Sequence, residues 1–202
     1  MYPLLGFSIL AGALILERTR FWLRVARQQD KIVREVLNLY PRSPRAALLK
    51  LEQHTELPIA RIFLAALCLD RPTPEEFRLA LETAAQAEMP LLKRFNTVFE
   101  TIISLSPLLG LLGTILGLIT SFASLRIGDV GGSSTVSVSA GISEALISTA
   151  SGLVVAIFTL LFANSFRGLY LRQIALIQEY GGQMELHYRR RYEQGDIPYH
   201  PA

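Results

Sequence analysis

Charge is missing from two long stretches of this chain, and their length sets the first expectation. No Asp, Glu, Lys or Arg occurs from Thr101 to Leu125, and none lies between Ala145 and Arg167. Each stretch reaches the roughly 20 apolar residues that carry a helix across the hydrocarbon core of a bilayer. A third apolar stretch, Tyr2 to Leu16, is shorter and ends at Glu17 and Arg18. Its first cations (Arg18, Arg20, Arg24 and Arg27) follow the apolar run, the reverse of a secretory signal. It reads as a short span that reaches full thickness by tilt or by a few further residues at its start, with Trp22 and the arginines at the interface.

Between the first and second spans the apolar positions recur at helical spacing, and proline breaks the pattern. Arg20 to Tyr40 continues the first span as an amphipathic helix with Val25, Ile32, Val36 and Leu39 near one face, and it stops at PRSP. Helices are expected from Arg45 to about His54 and from Pro58 to Leu69. After RPTP, Thr73, Pro74 and Glu76 make a capping box, and the helix they start can run into the second span, with Pro90 the place for a kink. No strand-like alternation of useful length occurs, and GDVGGSSTVSVSAG reads as a loop. The expected fold is an all-α integral membrane protein: three transmembrane helices extended by cytoplasmic helices. Its parts are a first transmembrane helix at 2–23, a cytoplasmic helical region at 24–100, a second span at 101–125, a short outside loop at 126–140, a third span at 141–163, and a cytoplasmic helix and tail at 164–202.

At 100° per residue both long spans are two-faced. In the second, Ser106, Gly110, Gly113, Gly117, Thr120, Ser121 and Ser124 share a sector of roughly 100°, opposite Leu111, Leu112, Ile115 and Ile119. In the third, Gly141, Glu144, Ala145, Ser148, Ser151, Gly152 and Thr159 share about 120°. Glycines at this spacing let helix backbones approach, and Gly113-x-x-x-Gly117 taken alone reads as a packing surface. Glu144 differs, because an ionisable group in a span costs at least a few kcal/mol and so faces an interior, a water-filled cavity or a partner. At 1.5 Å per residue Thr114 and Thr149 come to similar mid-membrane depth, and Glu144 lies roughly 8 Å nearer the outside. A water or proton path fits this arrangement. So does a protonated Glu144 hydrogen-bonded between helices.

Composition and charge refine the picture. Half the residues are hydrophobic, and the sequence pI is near 9.2. Of 20 Lys and Arg, 14 lie between Arg18 and Arg94, one (Arg126) between the second and third spans, and five after the third. The positive-inside rule then puts the N-terminus outside and both the 18–100 region and the tail in the cytoplasm. Topology accounts for the basic pI, so no nucleic-acid partner is expected. The one cysteine, Cys68, lies in the apolar run IFLAALCL and reads as a buried structural thiol. His54, His187 and His200 are scattered, and no HExxH, Walker A or G-x-S-x-G motif occurs, so neither an enzyme, a metal nor a cofactor is expected.

Two runs carry a resemblance. SPLLGLLGTILGLITSF (Ser106 to Phe122) followed by GISEALISTASGLVVAIFTLLFAN (Gly141 to Asn164) resembles the ExbB/TolQ/MotA proton-channel family, in particular its ExbB/TolQ branch. ALILERTRFW (Ala13 to Trp22) extends the likeness loosely to the first span. The resemblance implies a helical homopentamer around a central pore in the bacterial inner membrane, N-terminus periplasmic. It implies an ExbD/TolR-type single-span partner whose aspartate carries protons, and a TonB/TolA-type periplasm-spanning protein that the motor drives. By the same resemblance Thr114 and Thr149 are the pore threonines, Glu144 is the intramembrane glutamate, and Gly110, Gly113, Gly117, Ser148 and Gly152 form the packing and pore stripe. The implied role is to energise TonB-dependent outer-membrane transport; the alternatives are a TolQ-type envelope-maintenance subunit or a non-conducting membrane scaffold. Phe158 stands where relatives commonly carry proline, so no kink is assumed in the third helix.

Overall fold

The regular structure of the computed structural model is helical throughout the described residues, 2–123 and 133–195. Six helices follow one another: α1 (Tyr2–Leu39), α2 (Pro44–Glu52), α3 (Pro58–Leu67), α4 (Pro74–Leu92), α5 (Asn96–Ala123) and α6 (Ser133–Glu193). Ser124 of the stripe and the loop residues up to 132 lie outside the described range. Among the described residues two helical stretches are long and apolar enough to cross a membrane, one ending at Ala123 and one running from Val138.

Local chemistry sets most boundaries. Ser43 caps α2 by accepting from the Ala46 N–H, and Pro44 and Pro58 occupy first-turn positions where a missing N–H costs nothing. At α4 the expected capping box is complete. The Thr73 hydroxyl accepts from the Glu76 N–H at 3.3 Å, and the Thr73 N–H donates to the Glu76 carboxylate at 2.7 Å. Those bonds hold the Glu76 carboxyl below its ordinary value, the backbone bond most of all.

Four expectations are corrected. The helix that starts at Thr73 does not run into the second span: α4 passes Pro90, ends at Leu92, and α5 restarts at Asn96 after Phe95 at φ 68°. A non-glycine residue at positive φ turns the chain, and no i→i−4 ladder continues through it. The stretch 133–140, expected as loop, is helix, so α6 begins eight residues before Gly141 and stays unbroken through Phe158. Cys68 is exposed, because it caps the C-terminal end of α3 while Ile59, Ile62, Phe63 and Ala66 take the buried side. The two short helices also end earlier than expected, at Glu52 and Leu67.

The chain forms two units. One comprises residues 1–19 and 95–167, the other 20–94 and 168–202, and α1 and α6 contribute to both. In the second unit the C-terminal half of α1 buries Trp22, Val25, Ile32, Val33, Val36 and Leu37, the helical period expected, while Leu39 is half-buried. Phe63, Phe77, Leu51, Leu57, Ile62, Leu92, Ile177 and Met184 complete this core. The Phe77 ring stacks on Tyr188 with centroids 4.0 Å apart, and the Tyr188 hydroxyl donates to the Pro72 carbonyl at 2.5 Å. Burial, with the Tyr40 and Tyr192 phenols nearby, pushes the Tyr188 phenol up to about 12. Gln29 of α1 and Gln173 of α6 exchange amide hydrogen bonds of 2.6 and 3.1 Å inside this core. The Arg61 guanidinium grips the Glu88 carboxylate through two bonds of 2.7 and 2.5 Å, tying α3 to α4. The Gln29–Gln173 pair is buried, and such a pair is tolerated only when its donors and acceptors are met, as they are here.

Candidate functional site

The site is built in the first unit, where α5 and α6 approach closely. A Cβ added at Gly152 would lie 2.4 Å from the Ser106 carbonyl oxygen and 3.2 Å from Gly110 Cα. At Gly110 it would lie 3.0 Å from both the Ser148 carbonyl oxygen and Thr149 Cα. Further along the same pair, Gly113 meets Ser148, Gly117 meets Ala145, and Gly141 meets Ser121. At Gly110 and Gly152 backbone lies against backbone, and at Gly113, Gly117 and Gly141 a small side chain lies against it; such close approach is how helices gain dispersion contacts in lipid, where apolar burial gives no drive.

The hydroxyls on this seam are mostly satisfied within their own helices. Ser106 donates to the Ile102 carbonyl at 2.6 Å, Ser121 to Gly117 at 2.7 Å and Thr159 to Val155 at 2.8 Å. Such i−4 bonds let a hydroxyl sit in an apolar setting at little cost. Thr149 departs from the pattern: its hydroxyl donates across to the Gly110 carbonyl of α5 at 3.0 Å. Thr114 donates to Leu111 of its own helix at 2.6 Å.

The candidate residues therefore separate into two groups. Gly110, Ser148 and Gly152 are buried, and with Gly113 and Gly117 they form the α5–α6 contact. Thr114 and Thr149 are half-buried at its edge, and Glu144 is exposed, one residue before the buried Ala145. Among the described residues Glu144 takes no hydrogen bond or ion pair. The sequence pattern put the glycines, Ser148 and Glu144 on the small, polar faces of the two spans, and depth and the resemblance added Thr114 and Thr149; the structure divides these positions into a helix-packing group and an open group. The Thr149–Gly110 bond was not foreseen, since a helical projection shows which side a residue takes and not which partner meets it. No group of three or more His, Cys, Asp or Glu placed to hold a metal occurs among the described residues.

The model of the MotA/TolQ/ExbB proton channel family matches residues 54–179, from just before α3 to well past the last buried position of the seam. The chain belongs to this family. Within it the chain is ExbB-like. It is 62% identical over 192 residues to a protein of Synechocystis sp. that bears the provisional name biopolymer transport protein ExbB-like 3, covering 95% of this chain and 91% of that one. A second Synechocystis protein, ExbB-like 1, is 43% identical over 199 residues, covering 98% of this chain and 78% of that one. Thr114, Glu144 and Thr149 all fall inside the family match.

Proposed function

We propose that this chain is the stator-like subunit of an inner-membrane motor that admits protons and uses their passage to energise TonB-dependent outer-membrane transport. Three spans, N-terminus periplasmic and C-terminus cytoplasmic, assemble as a homopentamer around a pore. An ExbD/TolR-type single-span partner occupies that pore and supplies the titrating aspartate at mid-depth. A TonB/TolA-type protein takes up the movement. The chain itself is not an enzyme and holds no cofactor.

The observation that carries this reading is the division of the polar stripe. Packing of α5 on α6 accounts for the glycines and employs the Thr149 hydroxyl in its bond to the Gly110 carbonyl, yet it leaves Thr114 at the edge bonded only within its own helix and Glu144 exposed with no partner among the described residues. An exposed carboxylate in a span is costly unless water or a partner meets it. Threonine does not change charge at neutral pH, so these hydroxyls can pass a proton along only beside a group that titrates. The proton-motive force supplies about 2.3 kcal/mol per charge per 100 mV, so the path is useful only when each proton is coupled to movement of the partner.

Thr149→Val keeps the shape and removes the hydroxyl, and Glu144→Gln keeps the volume and removes the charge. Both variants are expected to assemble with the partner and to lose partner-dependent proton influx and uptake. Full influx in both would sink the proton role and leave the scaffold reading, in which the whole stripe serves packing. Topology is checked separately. Labelling from outside intact cells is expected to reach a cysteine placed at Ser133 and to miss Cys68, whose exposure makes that silence informative.

A further inference from the structure

We propose that Glu100 is the carboxylate that hands protons to the cytoplasm at the inner mouth of the path lined by α5. The proposal deepens the proton-channel reading and rests on it. Glu100 is the one charged side chain in the 28 residues of α5, and it is exposed. Fourteen residues separate it from Thr114. At 100° per residue this spacing brings the two within about 40° of one direction on the helix, and the rise sets them about 21 Å apart.

Between them stands Pro107, within about 20° of the same direction. Proline has no N–H, so the Ile103 carbonyl loses its usual helical donor and keeps a lone pair for water. One face of α5 thus presents a hydroxyl, a carbonyl that Pro107 cannot satisfy, and a carboxylate, in order from mid-span to the helix start. The Thr114 hydrogen is already given to Leu111 at 2.6 Å, which leaves its oxygen to accept from water.

Among the described residues Glu100 takes no hydrogen bond or ion pair that would explain it as a structural charge. Its neighbour Phe99 packs on Phe166 of α6 with ring centroids 5.9 Å apart, so the exposed Arg167 is the charged group α6 brings to this end. From α1 the charged groups of the unit are Glu17 and the buried Arg18. On the chain just before α5, Lys93 lies over the Tyr170 ring at 5.2 Å, and Arg94 follows it. A carboxylate repeated around an oligomer axis lowers the potential at this end of the span and concentrates protons there.

The step balances simply. Hydronium arriving from the Thr114 side gives its proton to the carboxylate and leaves as water, and the neutral acid then passes that proton to cytoplasmic water and regenerates its charge. The experiment reconstitutes the chain with its single-span partner in liposomes that hold a pH-sensitive dye, and compares wild type, Glu100→Gln, Glu100→Asn and Glu100→Asp. Glu100→Gln and Glu100→Asn are expected to lower partner-dependent proton influx by about tenfold, the low end of what charge focusing does to local ion concentration, and to flatten its dependence on cytoplasmic-side pH. Glu100→Asp, equal in size to Asn, should restore both. Equal losses in the Asp and Asn variants, or wild-type influx and pH profile in Glu100→Gln, would overturn the proposal. With Thr149→Val silent in the same preparation, that second result would leave the channel reading intact, whereas absence of partner-dependent influx in wild type would overturn both.

Discussion

One helix, α6, serves two units with the same period and opposite materials. In the unit that contains α5 its buried positions from Ala145 to Thr159 are Ala145, Ser148, Gly152, Ala156 and Thr159, with Phe166 the one large ring, at the end of the unit; in the other they are Gln173, Ile177, Tyr180, Met184 and Tyr188. Spacing alone therefore says which side of a helix is covered, and residue size says by what means. Around Gly152 no side chain intervenes between backbones, which suits lipid, where packing and hydrogen bonds bring helices together. Around Tyr188 large rings fill the gap, which suits water, where burying apolar area is the main drive. The glycines repeat the contrast. A Cβ at Gly110, Gly113, Gly117, Gly141 or Gly152 meets a neighbour, whereas at Gly168, Gly181 and Gly182 it meets nothing within 4 Å.

The largest effect should come from emptying the large-residue core. Phe77 is fully buried and stacks on Tyr188, so Phe77→Ala removes a ring and leaves a cavity worth about 4 kcal/mol of stability. Unfolding of the detergent-solubilised protein, followed by loss of near-ultraviolet ellipticity, measures it. A loss below about 1 kcal/mol would mean that this unit does not rest on large-residue packing as the comparison holds.

The next effect comes from enlarging the small-residue seam. At Gly152 the obstruction is the backbone of Ser106 and Gly110, which no rotamer change relieves. Gly152→Ala is expected to cost about 3 kcal/mol through forced separation of α5 and α6, and to lengthen or break the Thr149–Gly110 bond. Thermal stability and partner-dependent proton influx should fall together. If Gly152→Ala were as stable as wild type, backbone contact would not be what holds this pair.

Much of this contrast was legible in the residues. The capping box at Thr73 is local chemistry between positions three apart, so sequence alone foretold it. Val25, Ile32 and Val36 face the core because helical period and apolarity agree. The small stripes of α5 and α6 were legible for the same reason. What the residues did not reveal depends on partners distant in sequence. An aromatic residue does not advertise positive φ, so the turn at Phe95 looked like continuing helix. The apolar run around Cys68 suggested burial, yet Ile62, Phe63 and Ala66 used up the covered side one position before α3 ends. The serine-rich start of α6 read as loop, because serine competes for backbone hydrogen bonds in isolation and its preference yields when the helix goes on for many turns.

The smallest effect should have the opposite sign. Gly181 lies inside α6 in the large-residue unit, is not at positive φ, and a Cβ there has open space. Its left-handed freedom is unused, so it costs the helix the usual glycine penalty. Gly181→Ala should raise stability by about 0.5 to 1 kcal/mol, by restricting the unfolded chain and favouring helix. The neighbouring surface is a recess lined by Ile62, Leu81, Met89, Ile177 and Gly181, with Arg78, Glu82 and Glu185 at its rim. That placement sharpens the comparison, because an isolated subunit and the assembly answer differently if a neighbour fills the recess. A gain in both the dissociated and the assembled protein would establish that the glycine has no packing duty, in contrast to Gly152. A gain in the subunit with a loss in the assembly would show that this unit, too, keeps a small residue where another helix comes close.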